Sequence, residues 1–124
     1  LQDKYSFTYL FISHDLSMVR HISHQVGVMY LGNLIEYAQV DELYENMLHP
    51  YTSCLMSAVP IADPEQNRHS QRIILQGDVP SPIDPPSGCP FRTRCSQCKE
   101  ICKEKKPELK RINEKHMVAC HLYD

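Results

Sequence analysis

The chain has 124 residues, 42% of them hydrophobic and 23% charged, enough for one small domain with a modest core. Its 13 Lys and Arg against 15 Asp and Glu leave a formal net charge of -2, so a global cationic surface for nucleic acid is excluded as a default. With 4 Gly, 9 Pro and 6 Cys, the composition excludes collagen-like repeats and Gly-rich linkers, and no run approaches the roughly 18 apolar residues of a membrane helix.

The start, Leu1-Gln2-Asp3-Lys4-Tyr5, has neither a basic n-region nor an initiating Met, and reads as an internal segment rather than a signal peptide. Phe7-Thr8-Tyr9-Leu10-Phe11-Ile12 is rich in aromatic and β-branched residues without alternation, the pattern of a strand buried on both faces. Ser13-His14-Asp15 ends it, and Asp15 or Ser17 is placed to cap a helix over 16–22. A second strand is expected over 26–31, a tight turn at Gly32-Asn33 and a third strand over 34–38. Asp41-Glu42-Leu43-Tyr44 reads as a capped helix start with acidic residues at its positive end. Pro50 restarts the chain into a helix over about 51–59, with Cys54, Leu55, Ala58 and Val59 as its buried stripe.

Pro60, Pro64, Pro80, Pro82, Pro85, Pro86 and Pro90 exclude regular helix and central strand from the stretch they occupy. A short strand over 72–76, a turn at Gly77-Asp78 and a polyproline-like connector over 80–86 are expected. The charge-dense stretch 99–115 reads as a solvated face anchored by Leu109 and Ile112. The chain thus divides into an α/β portion (1–60), a Pro-rich connector (61–87) and a Cys-rich end with little regular structure (88–124).

His14 follows an apolar strand directly, where open α/β sheets place functional groups. It suits phosphate or water contact there, and equally plain packing or capping. Contiguous Ser13-His14-Asp15 is not a hydrolase triad, which needs side chains from separate elements. His21 and His24 have metal-compatible spacing but no third ligand nearby. No Gly-rich loop ending in Lys-Ser or Lys-Thr occurs, so the chain alone is not expected to hydrolyse nucleotides.

The remaining chemistry is in sulfur. Five residues separate Cys89 from Cys95, six separate Cys95 from Cys102 and seventeen separate Cys102 from Cys120, with Cys98 between. Such clustering without an export signal favours a soft metal over a disulfide framework. A [4Fe-4S] cluster and a tetrahedral zinc both remain open on spacing, with His116 and His121 as alternative zinc ligands. Disulfides and free thiols are the competing readings. Cys54 reads as a core thiol.

Tyr9-Leu10-Phe11-Ile12-Ser13-His14-Asp15-Leu16 resembles the strand and switch region of ABC-transporter ATPase subunits. Arg20-His21-Ile22, Val26-Gly27-Val28-Met29-Tyr30-Leu31-Gly32, His49-Pro50-Tyr51-Thr52 and Ser57-Ala58-Val59-Pro60 extend the likeness. Leu75-Gln76-Gly77-Asp78-Val79-Pro80-Ser81-Pro82 and Pro85-Pro86-Ser87-Gly88-Cys89-Pro90-Phe91-Arg92-Thr93-Arg94-Cys95 narrow it to oligopeptide and dipeptide importers. The resemblance implies the C-terminal fragment of a P-loop ABC ATPase domain, followed by a small Pro/Cys-rich extension. It implies ATP and Mg as the parent's ligands and His14 as the switch histidine, both catalytic and in contact with the terminal phosphate. It implies Cys89, Cys95, Cys102 and Cys120 as cluster ligands, with Cys98 spare. The implied partners are a second ATPase subunit, transmembrane permease subunits and, indirectly, an extracytoplasmic peptide-binding protein, with the parent peripheral at the cytoplasmic face of the membrane.

A free-standing structural metal module is the alternative function. Nucleic-acid binding through a zinc knuckle is disfavoured, because Phe91 is the only aromatic residue among the basic ones. Apolar strand edges in such a fragment are expected to drive self-association, as a homodimer or a swapped form.

Overall fold

A hairpin organises the structure. In the computed structural model, which describes residues 2–60, 65 and 71–124, β1 (Gln25–Tyr30) and β2 (Asn33–Gln39) run antiparallel, from Gln25↔Gln39 to Tyr30↔Asn33. The turn falls at Leu31-Gly32, one residue earlier than the sequence suggests. Both residues have positive φ (46° and 75°), as a two-residue hairpin turn of matching twist requires. Asn33 makes this tolerable for Leu31, since its side-chain amide donates to Leu31 O at 2.9 Å.

Short helices surround the hairpin. α1 (Gln2–Tyr5) is one turn, and α2 (Leu16–Ile22) starts where Asp15 accepts a hydrogen bond from Met18 N at 3.1 Å, the expected cap. α3 (Val40–Glu45) begins one residue before Asp41, without a side-chain cap, and buries Leu43. The Tyr44 hydroxyl donates to Leu16 O, tying α3 to the start of α2. α4 (Pro50–Ser57) starts at Pro50, and His49 Nδ1 accepts from Tyr51 N at 3.1 Å. Its buried residues are Pro50 and Thr52, with Cys54 and Leu55 half-buried and Ala58 exposed. The expected stripe is therefore rotated, because the core lies against the helix's first turn.

Two expected strands are absent. Residues 7–12 carry no regular structure, and Leu10 and Ile12 are 97% and 99% exposed. A strand needs a hydrogen-bonding neighbour, and none of the described residues supplies one here. Residues 72–76 are likewise irregular and largely exposed, as is the connector to residue 87. The connector's residues 61–64 and 66–70, including Pro64, lie outside the described residues.

The C-terminal region has more regular structure than expected. It contains α5 (Ile101–Glu104), β3 (Lys110–Asn113), β4 (His116–Val118) and a 3-10 turn (His121–Tyr123). β4 pairs antiparallel with β2 through Glu36↔Val118 and Ala38↔His116, giving one sheet in the order β1-β2-β4-β3. The two regions also share a core: Val28, Tyr30, Ile35, Ala38 and Leu43 pack with Cys89, Phe91 and Cys102. Phe91, 1% exposed, meets Tyr30 edge-on at 5.2 Å and the Tyr51 ring at 5.4 Å. It is a core residue, which its place in a Cys- and Arg-rich stretch concealed. Leu109 is half-buried, whereas Ile112 is exposed and anchors little.

Candidate functional site

His14 stands exposed in the loop before α2, beside Ser13, whose hydroxyl accepts from Asp15 N at 3.0 Å. The ring is open to a ligand while Ser13 and Asp15 are occupied by local backbone bonds. His21 and His24 are also exposed, and among the described residues no three His, Cys, Asp or Glu side chains stand grouped around one ion position.

The cysteines are carried on a compact set of turns. Gly88 has φ 69°, and a Cβ there would lie 2.3 Å from Cys102 O, so only glycine lets the two segments approach. This approach permits the bond from Cys89 N to Cys102 O at 2.8 Å. Arg92 N donates to Cys89 O and Arg94 N to Phe91 O, turning the chain toward Cys95. Lys99 N donates to Cys102 Sγ at 3.4 Å, and Lys99 Nζ reaches His121 O at 3.3 Å, which draws the Cys120 segment in.

The thiols of Cys89, Cys95 and Cys102 all act electrostatically on Cys120, and Cys89 senses Cys95 and Cys102 in turn. Burial is the first cause raising the thiols of Cys89, Cys95 and Cys120 above their ordinary range, Cys120 to about 11. Burial and the adjacent Cys102 also raise Cys98, against the pull of Lys103 and Arg92. Thiols held this way are poor thiolates until a cation compensates them.

A tetrahedral zinc needs its sulfurs at about 2.3 Å from one point, a grouping absent among the described residues. A four-iron cluster instead takes each thiolate on a separate iron.

His116 and His121 are engaged elsewhere. His116 Nε2 lies 2.6 Å from Glu36 Oε1 and its Nδ1 lies 3.4 Å from Glu42 Oε1. His121 Nδ1 lies 2.5 Å from Asp124 Oδ2 and its Nε2 lies 2.8 Å from Lys105 O. Both rings have both nitrogens occupied, so neither turns to the cysteines as the alternative zinc reading requires. Lys110 and His121 hold Asp124 down at about 2. Cys54 is half-buried and near Arg94 and Cys95, not sealed in the core.

Sequence reading missed the buried polar centre that joins the two regions. Glu36, 0% exposed on β2, accepts from Leu48 N at 2.8 Å and from His49 N at 3.0 Å, and faces His116 of β4. Asn113 and then His116 hold Glu42 below its ordinary range. Burial drops His49 to about 4. The one sequence signal was a carboxylate between Ile35 and Tyr37 in an otherwise uncharged strand.

Among the described residues, no helix is long and apolar enough to cross a membrane. A family model described as the oligopeptide/dipeptide transporter, C-terminal region, matches residues 35–102. The chain is 55% identical over 123 residues to the oligopeptide transport ATP-binding protein AppF of Bacillus subtilis, covering 99% of this chain and 37% of that protein. It is 51% identical over 120 residues to the oligopeptide transport ATP-binding protein OppF of Haemophilus influenzae (97% and 36% covered). It is 45% identical over 124 residues to that organism's dipeptide transport ATP-binding protein DppF (100% and 37% covered). The chain thus spans little more than a third of the length of these curated relatives. With more than half of its residues matched by the family model, the chain belongs to the oligopeptide/dipeptide transporter C-terminal region family.

Proposed function

We propose that this chain is the rear part of an ATP-binding subunit that couples ATP hydrolysis to oligopeptide import. The observation that carries the reading is similarity along 97–100% of the chain to proteins named for oligopeptide or dipeptide transport. Residues 1–60 then complete a nucleotide-binding domain, 61–87 connect, and 88–124 form the family's extension. Working partners are a second ATPase subunit and permease subunits, with a peptide-binding protein acting through them, at the cytoplasmic face of the membrane.

In that assembly ATP and Mg are held largely by residues that this sequence does not contain, and the chain by itself is not an ATPase. A water oxygen attacks the terminal phosphorus and the bond to the bridging oxygen breaks, so that ADP leaves, the water's hydroxyl stays on the phosphorus as inorganic phosphate and its other proton passes to the phosphate or the solvent. His14 donates a hydrogen bond to the terminal phosphoryl oxygens as charge gathers on them. Its exposed position, with Ser13 and Asp15 otherwise engaged, supports this role.

Cys89, Cys95, Cys102 and Cys120 would hold a [4Fe-4S] cluster. The bond from Cys89 N to Cys102 O, which brings two of these segments together, supports the reading, although among the described residues no group of three ligands stands formed. Such a cluster supplies cross-linking free energy to a region poor in large apolar residues. The exposed apolar run at 7–12 supports self-association of the isolated chain.

The test is His14→Ala in the full-length subunit, assayed for ATP hydrolysis with its partners. A loss of about 100-fold or more is expected for removing one donor to transition-state charge. Unchanged hydrolysis would overturn the assignment. Iron and sulfide analysis of anaerobically purified protein decides the cluster, with zinc or no metal as the refuting results.

A further inference from the structure

Of the six cysteines, all among the described residues, Cys98 is the exposed one. It is also the one that the proposed ligand set leaves out. Its thiol donates to Lys99 O at 3.5 Å. The intervening turn is closed by Cys102 N donating to Lys99 O at 3.0 Å and Lys99 N donating to Cys102 Sγ at 3.4 Å. α5 begins at Ile101 and fixes the Cys102 end. Both sulfurs therefore bond to the backbone of Lys99, which lies between them in the chain, and one is open to solvent while the other is buried.

We propose that Cys98 and Cys102 are a reversible dithiol–disulfide pair that a hydroperoxide closes. Access selects Cys98 as the first sulfur attacked. One peroxide oxygen is transferred to it, giving a sulfenic acid and releasing water or an alcohol. The Cys102 sulfur then attacks the Cys98 sulfur, the S–O bond breaks, and the hydroxyl leaves as water with the Cys102 proton. In sum, two thiols lose two electrons and two protons, and one hydroperoxide is reduced. A small thiol reductant reverses the step by exchange.

The consequence for metal loading rests on the ligand set proposed above, whereas the pairing itself does not. Cys102 tied to Cys98 has no thiolate to offer an iron. Oxidation would therefore close the site to cluster assembly while Cys89, Cys95 and Cys120 stay reduced, and reduction would reopen it.

The experiment uses the full chain, metal-free and reduced, exposed to one equivalent of hydrogen peroxide without oxygen. Free thiols are alkylated, the protein is cut with trypsin, and peptides are read by mass spectrometry without reduction. Cleavage after Lys99 separates Cys98 from Cys102, so their disulfide links two peptides. The linked species should form in the wild type and in Cys95→Ser, vanish in Cys98→Ser and disappear with dithiothreitol. A link that persists in Cys98→Ser overturns the proposal, as does a wild type in which Cys98 over-oxidises while Cys102 is alkylated. Iron and sulfide reconstitution is the second readout. Peroxide should block uptake in the wild type until reduction, and Cys98→Ser should load regardless. If the link forms but neither protein ever takes up iron, the ligand set fails and the pairing stands.

Discussion

Acidification should unlock this fold through His49, in a window set by one imidazole. His49 is 1% exposed, and burial lowers it from 6.5 to about 4. Its Nδ1 accepts from Tyr51 N at the start of α4, and its ring lies 5.6 Å from that of Phe91. An acceptor nitrogen in a dry site stays neutral, while the unfolded chain takes up a proton near pH 6.5. Below that pH the unfolded state binds more protons, so stability falls as pH drops. The loss runs from about pH 6.5 to about pH 4 and then levels off. At about 1.36 kcal/mol per pH unit, this histidine alone removes about 3 kcal/mol, a large share of the 5–15 kcal/mol typical of a domain.

The comparison is His49→Asn, which keeps a good helix cap but has no proton to take up. Urea denaturation followed by far-ultraviolet circular dichroism at pH 7.5, 6, 5 and 4.5 should show a steep decline for the wild type. For the variant the decline should be shallower, from a lower starting stability. Parallel declines would refute the assignment. The depressed carboxylates do not confuse the window. Glu42 and Asp124 lie below their ordinary values of 4.5 and 3.8, so the stability they contribute is present above those values and is lost only under more acidic conditions.

Two further substitutions probe the junction between the regions. Glu36→Gln puts a donating amide among the donors Leu48 N and His49 N and leaves a buried hydrogen-bonding group without its partner; a loss of about 1–3 kcal/mol is expected, read as a lowered urea midpoint. Gly88→Ala forces a Cβ to within 2.3 Å of Cys102 O at positive φ, which should cost about 1–3 kcal/mol or more. The same change should weaken protection of the Cys89 amide against hydrogen exchange.

Local signals were readable without the structure. Asp15 announced α2, His49-Pro50 announced α4, and the apolar pattern on either side of Gly32 announced the hairpin. Each depends on neighbours a few positions away. Residues 7–12 failed because a strand exists only when another segment pairs with it, however apolar its own composition. β3 and β4 were hidden for a related reason. Lys110-Arg111-Ile112-Asn113 and His116-Met117-Val118 are short and mostly polar, and their strand character comes from pairing with β2 and with each other. Glu36 and His116 lie 80 positions apart, beyond any spacing rule. At the cysteines, the spacing indicated short loops, but the engagement of both His116 and His121 by carboxylates and a carbonyl could be seen only in three dimensions.

The pairing of β2 with β4 sets a timing problem for biosynthesis. Gln39 leaves the ribosome long before His116, whose strand hydrogen-bonds beside it. At about 5–20 residues per second, the interval is about 4–15 s. Throughout it, the nascent hairpin offers an open edge to any other extended chain, and a chaperone that shields such edges would have its greatest effect during those seconds.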